Sequence, residues 1–466
     1  MISWIRNGSW MKRLPQSSPA EIDECRRAWL GPTALATAIS FGMPKISKAE
    51  ESTPAGAGAF GISVDDFGAK GDGTSDDAPA FQRAVDALGS AGGRILLGAK
   101  HYRLASAITI SRAYVMFQGQ GYAESPGPAG GTWLVINTAD FRPFVITNYK
   151  GSETRGTSFR DLAVWQQQPA VSSAQWVPID YPFVWTFDNM YGGASFDNIF
   201  LSNVTRGISC NLVGRLEIGY MKGQCYDTMV YIDQAEDVCH INYLESWFFT
   251  TSAPQVAAYM MEHYDPIRLG RVDGIYINNL FVFCARAGIH CVQTRFGNAK
   301  FVLGIFGCDH ARYGVWFDHV DYQTNGTDIS VIAQIGTNHV RWQNGGGVIP
   351  GGAQIMIENS HRIKLQITNT NAGFVDGSVI QVSGADNELT VSLASFSQFN
   401  LGTHPTPAPA MFCGNSTGGG PNTIEVSQPV KISHNNGGGV FGTDGNGQFV
   451  DPRARLASYM AEQRKG

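Results

Sequence analysis

The sequence predicts a single long β-solenoid in place of a sandwich or a helical bundle. Three observations carry that expectation. From about residue 190 onward, apolar strands recur at intervals of roughly 20–30 residues, each followed by a polar turn. The composition suits strands and turns, with 55 glycines, 11% aromatic residues and only 16% charged residues. Finally, a glycine-rich turn, an amphipathic helix and several short strands follow one another between residues 64 and 121. At 466 residues the length alone suggests two or three domains, but a solenoid can run this far as one.

The opening turn includes Gly68, Gly71 and Gly73. No Gly-Lys-Ser/Thr follows them, so they read as tight-turn residues and not as a phosphate cradle. Phe81, Ala84, Val85 and Leu88 then recur at helical spacing. Asp76 or Asp77 caps this helix, with Ser75 as the rival cap. Lying across the open end of a strand stack, the helix would shield it from water and from edge pairing. Gly92-Gly93-Arg94-Ile95-Leu96-Leu97, His101-Tyr102-Arg103-Leu104, Ile108-Thr109-Ile110 and Phe117-Gln118-Gly119-Gln120-Gly121 supply the first strands.

Taken in order, these segments resemble the start of the right-handed parallel β-helix of the pectate-lyase superfamily. That group holds polysaccharide lyases, polygalacturonase-like hydrolases and phage tailspike depolymerases. The resemblance implies an all-β, right-handed parallel β-helix with an N-terminal capping helix over roughly residues 60–400, and an extended polysaccharide as ligand. It leaves the reaction open, because a fold does not dictate chemistry. Polygalacturonase-like members carry Asn-x-Asp, Asp-Asp, Gly-His-Gly and Arg-Ile-Lys in that order. Here only Arg362-Ile363-Lys364 is present in place, so that catalytic set does not carry over.

Three segments are expected. Residues 1–60 form a leader, in which Cys25-Arg26-Arg27-Ala28-Trp29-Leu30 precedes an apolar run from Thr33 to Met43. This resembles a twin-arginine export signal and linker, implying a secreted or periplasmic protein. A helix docking onto a larger assembly is the alternative, as in a virion-associated tailspike with a homotrimeric assembly. Residues 61–436 form the catalytic coil, and 437–466 a glycine-rich tail ending in a helical cap. No run is long enough for a membrane-spanning helix. A net charge of −5 offers no basic footprint for nucleic acid. The eight cysteines contain no Cys-x-x-Cys pair, which argues against structural zinc and for buried free thiols.

In stacked strands, equivalent side chains form outward columns spaced roughly 4.8 Å apart. Treating Ile208, Val230, Ile289, Val315 and Val340 as equivalent puts Thr205, Asp227, Arg286, Arg312 and Thr337 in one column. Asn203, Cys225, Cys284, Asp309 and His310 fall nearby, and Glu245 points outward beside Trp247. Thr250 to Arg271 is too long for a turn and reads as a projecting loop that walls a groove. Asp227, Glu245 and Asp309 are the candidate catalytic carboxylates, since glycoside hydrolysis needs an acid and a base or nucleophile. Arg286, His310, Arg312 and Trp247 are the candidate substrate contacts, the arginines through planar multi-donor binding of an acidic sugar. Hydrolysis is the first expectation and needs no cofactor. β-Elimination is the alternative, with His310 or Arg312 acting on the C5 proton and calcium as a candidate aid. A non-catalytic carbohydrate-binding coil is the remaining reading.

Overall fold

A computed structural model describes residues 61–450, apart from 148–154, 173–174, 191, 323–332, 342–351, 369, 376, 393, 400–407, 415–418, 428–430, 434–438 and 445–446. The expected export leader and the helical cap near the C-terminus lie outside the described residues.

Every pairing between the named strands is parallel, and the chain winds through three faces per turn. On the first face, Phe117, Phe159, Phe196, Ile218, Ile241, Ile277 and Leu303 stack directly over one another. The second face stacks Leu134, Val164, Leu201, Gly223, Ser246, Val282 and Cys308. On the third face the column is Phe144, Trp185, Ile208, Val230, Ile267, Ile289, Val315 and Ile355. These columns point inward and form one continuous core. The parallel β-helix expected from the sequence is the architecture observed.

The long strands Gly192–Val213, Val272–Val292 and Ala299–Asp318 each pass through all three faces without a break. They bend where Asn203, Cys284 and His310 adopt φ values of 63°, 66° and 56°. Asparagine and histidine are among the residues that tolerate this left-handed conformation, whereas Cys carries strain there. The glycine that precedes the third-face residues Ile208 and Ile289 also has a cause. A Cβ on Gly207 would lie 2.4 Å from the Met229 carbonyl oxygen of the next turn. At Gly288 it would lie 2.8 Å from the carbonyl oxygen of Gly314.

Helix α1, Ala78–Ala87, buries Phe81 with its ring 5.4 Å from Tyr102 and 6.1 Å from Phe117. Its capping differs from the simplest expectation. Asp77 occupies the cap position, but its carboxylate accepts from the amides of Lys70 (2.7 Å) and Gly71 (3.0 Å). Asp76 accepts from the Ala78 amide instead. The amides of the glycine-rich turn are thus taken by the chain's own carboxylate, which agrees with the tight-turn reading.

One boundary moves. Strands Phe441–Thr443 and Gln448–Val450 pair with the strands below them, so the coil continues past residue 436. The seven described cysteines are free and buried. They act as small apolar side chains inside the coil.

The early turns hold an aromatic cluster around Phe159, whose ring lies 5.1 Å from Phe117 and Phe144, 5.4 Å from Trp185 and 5.6 Å from Phe196. Phe159→Ala is expected to destabilise the protein by about 3–5 kcal/mol through the cavity it leaves. A urea denaturation midpoint that hardly moves would contradict this packing.

Candidate functional site at a bend of the coil

The second and third faces meet at the bend through Cys284 and His310, and this bend gathers most of the predicted site residues. The register expected from sequence requires correction there. Val230 pairs with Ile267, and Ile267 in turn pairs with Ile289. A complete turn of the coil, carrying Tyr264 and Asp265, therefore sits between Asp227 and Arg286. Val315 pairs with Ile355, whereas Val340 belongs to the second face, opposite Cys308. The segment Thr250–Arg271 is only partly a projection. It contains helix α2, Pro254–His263, followed by the third-face strand Asp265–Leu269. That strand is short and contains Pro266, and the inserted helix lengthens the interval that sequence alignment relies on.

Two insertions flank the bend. Helix α2 buries Val256 and Met260, and the Cys284 thiol donates to the Ala257 carbonyl at 3.3 Å. The segment before Tyr181 places Trp176 edge-on against Tyr226 (4.8 Å) and Tyr259 of α2 (5.9 Å). On the second face, Lys222 pairs with Glu124 and lies over the Tyr220 ring. Just past α2, the turns carrying Cys284 and His310 run directly from second to third face with no insertion.

The predicted residues separate into three groups. Asp227 is engaged by Arg206 at 2.7 Å, and the same guanidinium holds Asp180 at 2.7 Å. Glu245 lies two turns from Gly307 on the outward second face and accepts from the Tyr243 hydroxyl at 2.9 Å. The remaining five cluster about the bend. Trp247 is 38% exposed, with its ring 4.2 Å from Phe283 and 5.8 Å from Phe281. Phe283 pairs in register with Asp309, and the His310 ring lies 4.6 Å from it. Burial pushes the His310 pKa down, so the ring is neutral at neutral pH. Across the bend, Arg286 and Arg312 occupy adjacent turns, because Ala285 pairs with Ala311 and Ala287 with Tyr313.

Sequence reasoning missed the group that supports Arg286. The buried carboxylate of Asp265 accepts from Arg286 Nε at 3.0 Å and from a second guanidinium nitrogen. His290, also buried, sits 2.7 Å from Asp265 through Nδ1 and 3.1 Å from Asp318 through Nε2. Trp316 stacks on the His290 ring at 4.1 Å, nearly parallel, and donates its indole N–H to Glu358 at 3.0 Å. Burial opposes ionisation of Asp265, but His290 and Arg286 outweigh it and hold the carboxyl below its ordinary range. Asp318 is lowered to about 2, chiefly by its hydrogen bond with His290 and further by His319. The available sequence signal was the outward column Arg268, His290, Trp316, invisible until the Asp265–Leu269 strand is placed.

The arrangement offers an aromatic ledge, a neutral imidazole, a carboxylate and two adjacent cations. It does not offer a calcium cage. Asp318 is occupied by His290 and His319, and Asp321 by Arg362. No cluster of three or more His, Cys, Asp or Glu side chains is placed to hold a metal ion among the described residues.

The lowered pKa of Asp318 makes a pH prediction. The folded state holds the carboxylate at about 2 against an ordinary 3.8, so its stabilisation is complete above 3.8 and is lost as pH falls toward 2. Asp318→Asn should flatten that part of the stability–pH curve. An unchanged acid slope in thermal melts between about pH 4 and 2 would contradict the ion pair.

Residues 61–135 match a family model described as rhamnogalacturonase A/epimerase, pectate lyase-like. No curated protein matches the chain. Among solved structures, the catalytic unit of a thermostable α-1,3-glucanase from Streptomyces thermodiastaticus is similar at 14% identity, with a TM-score of 0.51, covering 86% of this chain and 70% of that one. The A-module of mannuronan C-5 epimerase AlgE4 from Azotobacter vinelandii matches at 14% identity and a TM-score of 0.45, covering 83% and 99%. DFA-IIIase from Arthrobacter chlorophenolicus A6 matches at 11% identity and 0.43, covering 85% and 88%. At such identities the likeness is one of fold. The stacked parallel turns make this chain a parallel β-helix, and the family match over residues 61–135 marks its first turns as similar to a pectate lyase-like domain.

Proposed function

We propose that this protein is a carbohydrate-active enzyme that binds an extended, acidic polysaccharide across the bend and cleaves its glycosidic bonds. One observation carries the reading: Arg286 and Arg312 stand on adjacent turns beside His310 and Asp309, next to the ledge of Trp247 and Phe283. Aromatic faces suit the apolar sides of sugar rings. Guanidinium groups suit a uronate carboxylate through paired N–H donors. The similar fold of an α-1,3-glucanase is compatible with a polysaccharide as substrate.

The side-chain chemistry favours β-elimination. His310, neutral at neutral pH, would take the C5 proton of a uronate whose carboxylate is held by Arg312 and Arg286. Electrons from the C5–H bond form the C4–C5 double bond as the C4–O bond breaks. The departing oxygen then takes a proton, for which the hydroxyl of Tyr313, kept protonated by burial, is a candidate donor. Proton abstraction of this kind contributes typically 10²–10⁴-fold to rate. Hydrolysis is the second reading, since Glu245 and Asp309 lie on the same outward face, two turns apart and displaced by two residues along the strand, and could supply the two carboxyls that an acid and a base require. In either chemistry Asp227 lies outside this cluster and would act through Arg206 or at a neighbouring sugar.

A screen of acidic and neutral polysaccharides, read by reducing ends and by ultraviolet absorbance together, tests the function and separates the chemistries. Elimination predicts both signals, and hydrolysis predicts reducing ends alone. Binding without either signal would identify a non-catalytic coil. His310→Ala is expected to lower kcat by about 10²–10⁴-fold with the melting temperature nearly unchanged. Full activity in that variant, with loss in Asp309→Asn, would transfer the role to the carboxylates.

A further inference from the structure

Beside the site, the third face carries charges that the proposed reaction does not use. His290 is 2% exposed and Asp265 is 1% exposed, although both stand on the outer side of the coil. Each ring nitrogen of His290 faces a carboxylate oxygen, Asp265 at 2.7 Å and Asp318 at 3.1 Å. Ionised carboxylates only accept hydrogen bonds, so a ring with one N–H would leave a lone pair aimed at an oxygen. With an N–H on both nitrogens, both carboxylate contacts are satisfied, and the one contact left unmatched is the longer one, from the Arg286 guanidinium to Nδ1 at 3.5 Å. The groups around the ring are consistent with a cation. Trp316 stacks on it 4.1 Å away, Glu358 accepts from that indole, and Asp318 also binds His319. Arg268, the column neighbour on the preceding turn, and Arg286 are the opposing positive charges.

The bridge spans three turns of the coil, from Asp265 through His290 to Asp318. Its near end is the carboxylate that holds Arg286, whose side chain remains about one-quarter exposed. We propose that His290 is a positioning residue: carrying a proton on both ring nitrogens, it fixes Asp265 and thereby aims the Arg286 guanidinium at the substrate carboxylate. The inference rests on the proposed function in one respect only, that Arg286 meets the substrate. Removing the bridge would let Asp265 turn and the guanidinium wander, because a buried carboxylate with one partner gone seeks another. The loss would appear in substrate binding more than in the chemical step, since His290 touches neither the base nor the reacting bond.

Nitrogen-15 spectra of the full chain labelled at histidine test the first half without any substrate. One ring is expected to show protons on both nitrogens, and Asp318→Asn should remove one of them. A single protonated nitrogen on His290 in the unaltered protein would overturn the inference. The second half is tested by titration calorimetry with a tetragalacturonate probe and its neutral methyl ester. His290→Gln, which cannot donate through both ends of the bridge, should weaken binding of the acidic probe by about tenfold. Binding of the ester should be unchanged. In kinetics the same variant should raise KM with kcat within about twofold. If Arg286→Lys weakens the acidic probe but His290→Gln does not, His290 positions nothing and the inference falls alone. If neither variant alters binding of a probe that the protein does bind, both the inference and the arginine clamp are overturned.

Discussion

The parallel hydrogen-bond ladder between successive turns is the constraint on which the rest depends. It holds each turn roughly 4.8 Å above the last and allows no sideways slip, because a one-residue shift would exchange inward for outward side chains on that face. Ile208, Val230, Ile267, Ile289 and Val315 illustrate the consequence, since all are fully buried in one column. Their outward neighbours must then stack as well. Arg268, His290 and Trp316 become a contiguous stripe although 48 residues of chain separate the first from the last (316 − 268).

The same ladder explains where variation is admitted. Insertions cannot enter a face without breaking hydrogen bonds, so they enter at bends. The segment holding Trp176 and helix α2 both leave the coil between its second and third faces, and they meet each other through Trp176 and Tyr259. Of the turns just past α2 that cross that bend without an insertion, the Cys284 turn meets α2 through its thiol and the His310 turn lies one step further on. Function in such a coil is thus a matter of which turns are short.

Electrostatics on the outer surface follows from stacking too. Arg286 and Arg312 on adjacent turns would repel each other if neither were compensated. Asp265, deeply buried and bound by both Arg286 and His290, offsets one of the two charges and leaves the pair with a net attraction for anions. Asp227 does not play that role, because Arg206 and Asp180 complete their own ion group one turn earlier on the coil's other flank of α2.

Fold class, strand alternation and the glycine before several third-face strands were legible in the sequence, because each is dictated by local periodicity. Gly207 and Gly288 mark places where the next turn passes close, and Asp309, His310, Arg286 and Arg312 fall on adjacent turns. The pairing of Asp227 with Arg286 was not recoverable that way. An inserted helix and a proline-containing strand hid one turn, and register accumulates from every turn before it. Asp265, His290 and Asp318 lie 53 residues apart from first to last (318 − 265) and share no motif. Only the coiling of the backbone, which turns sequence separation into vertical stacking, decided that they would touch.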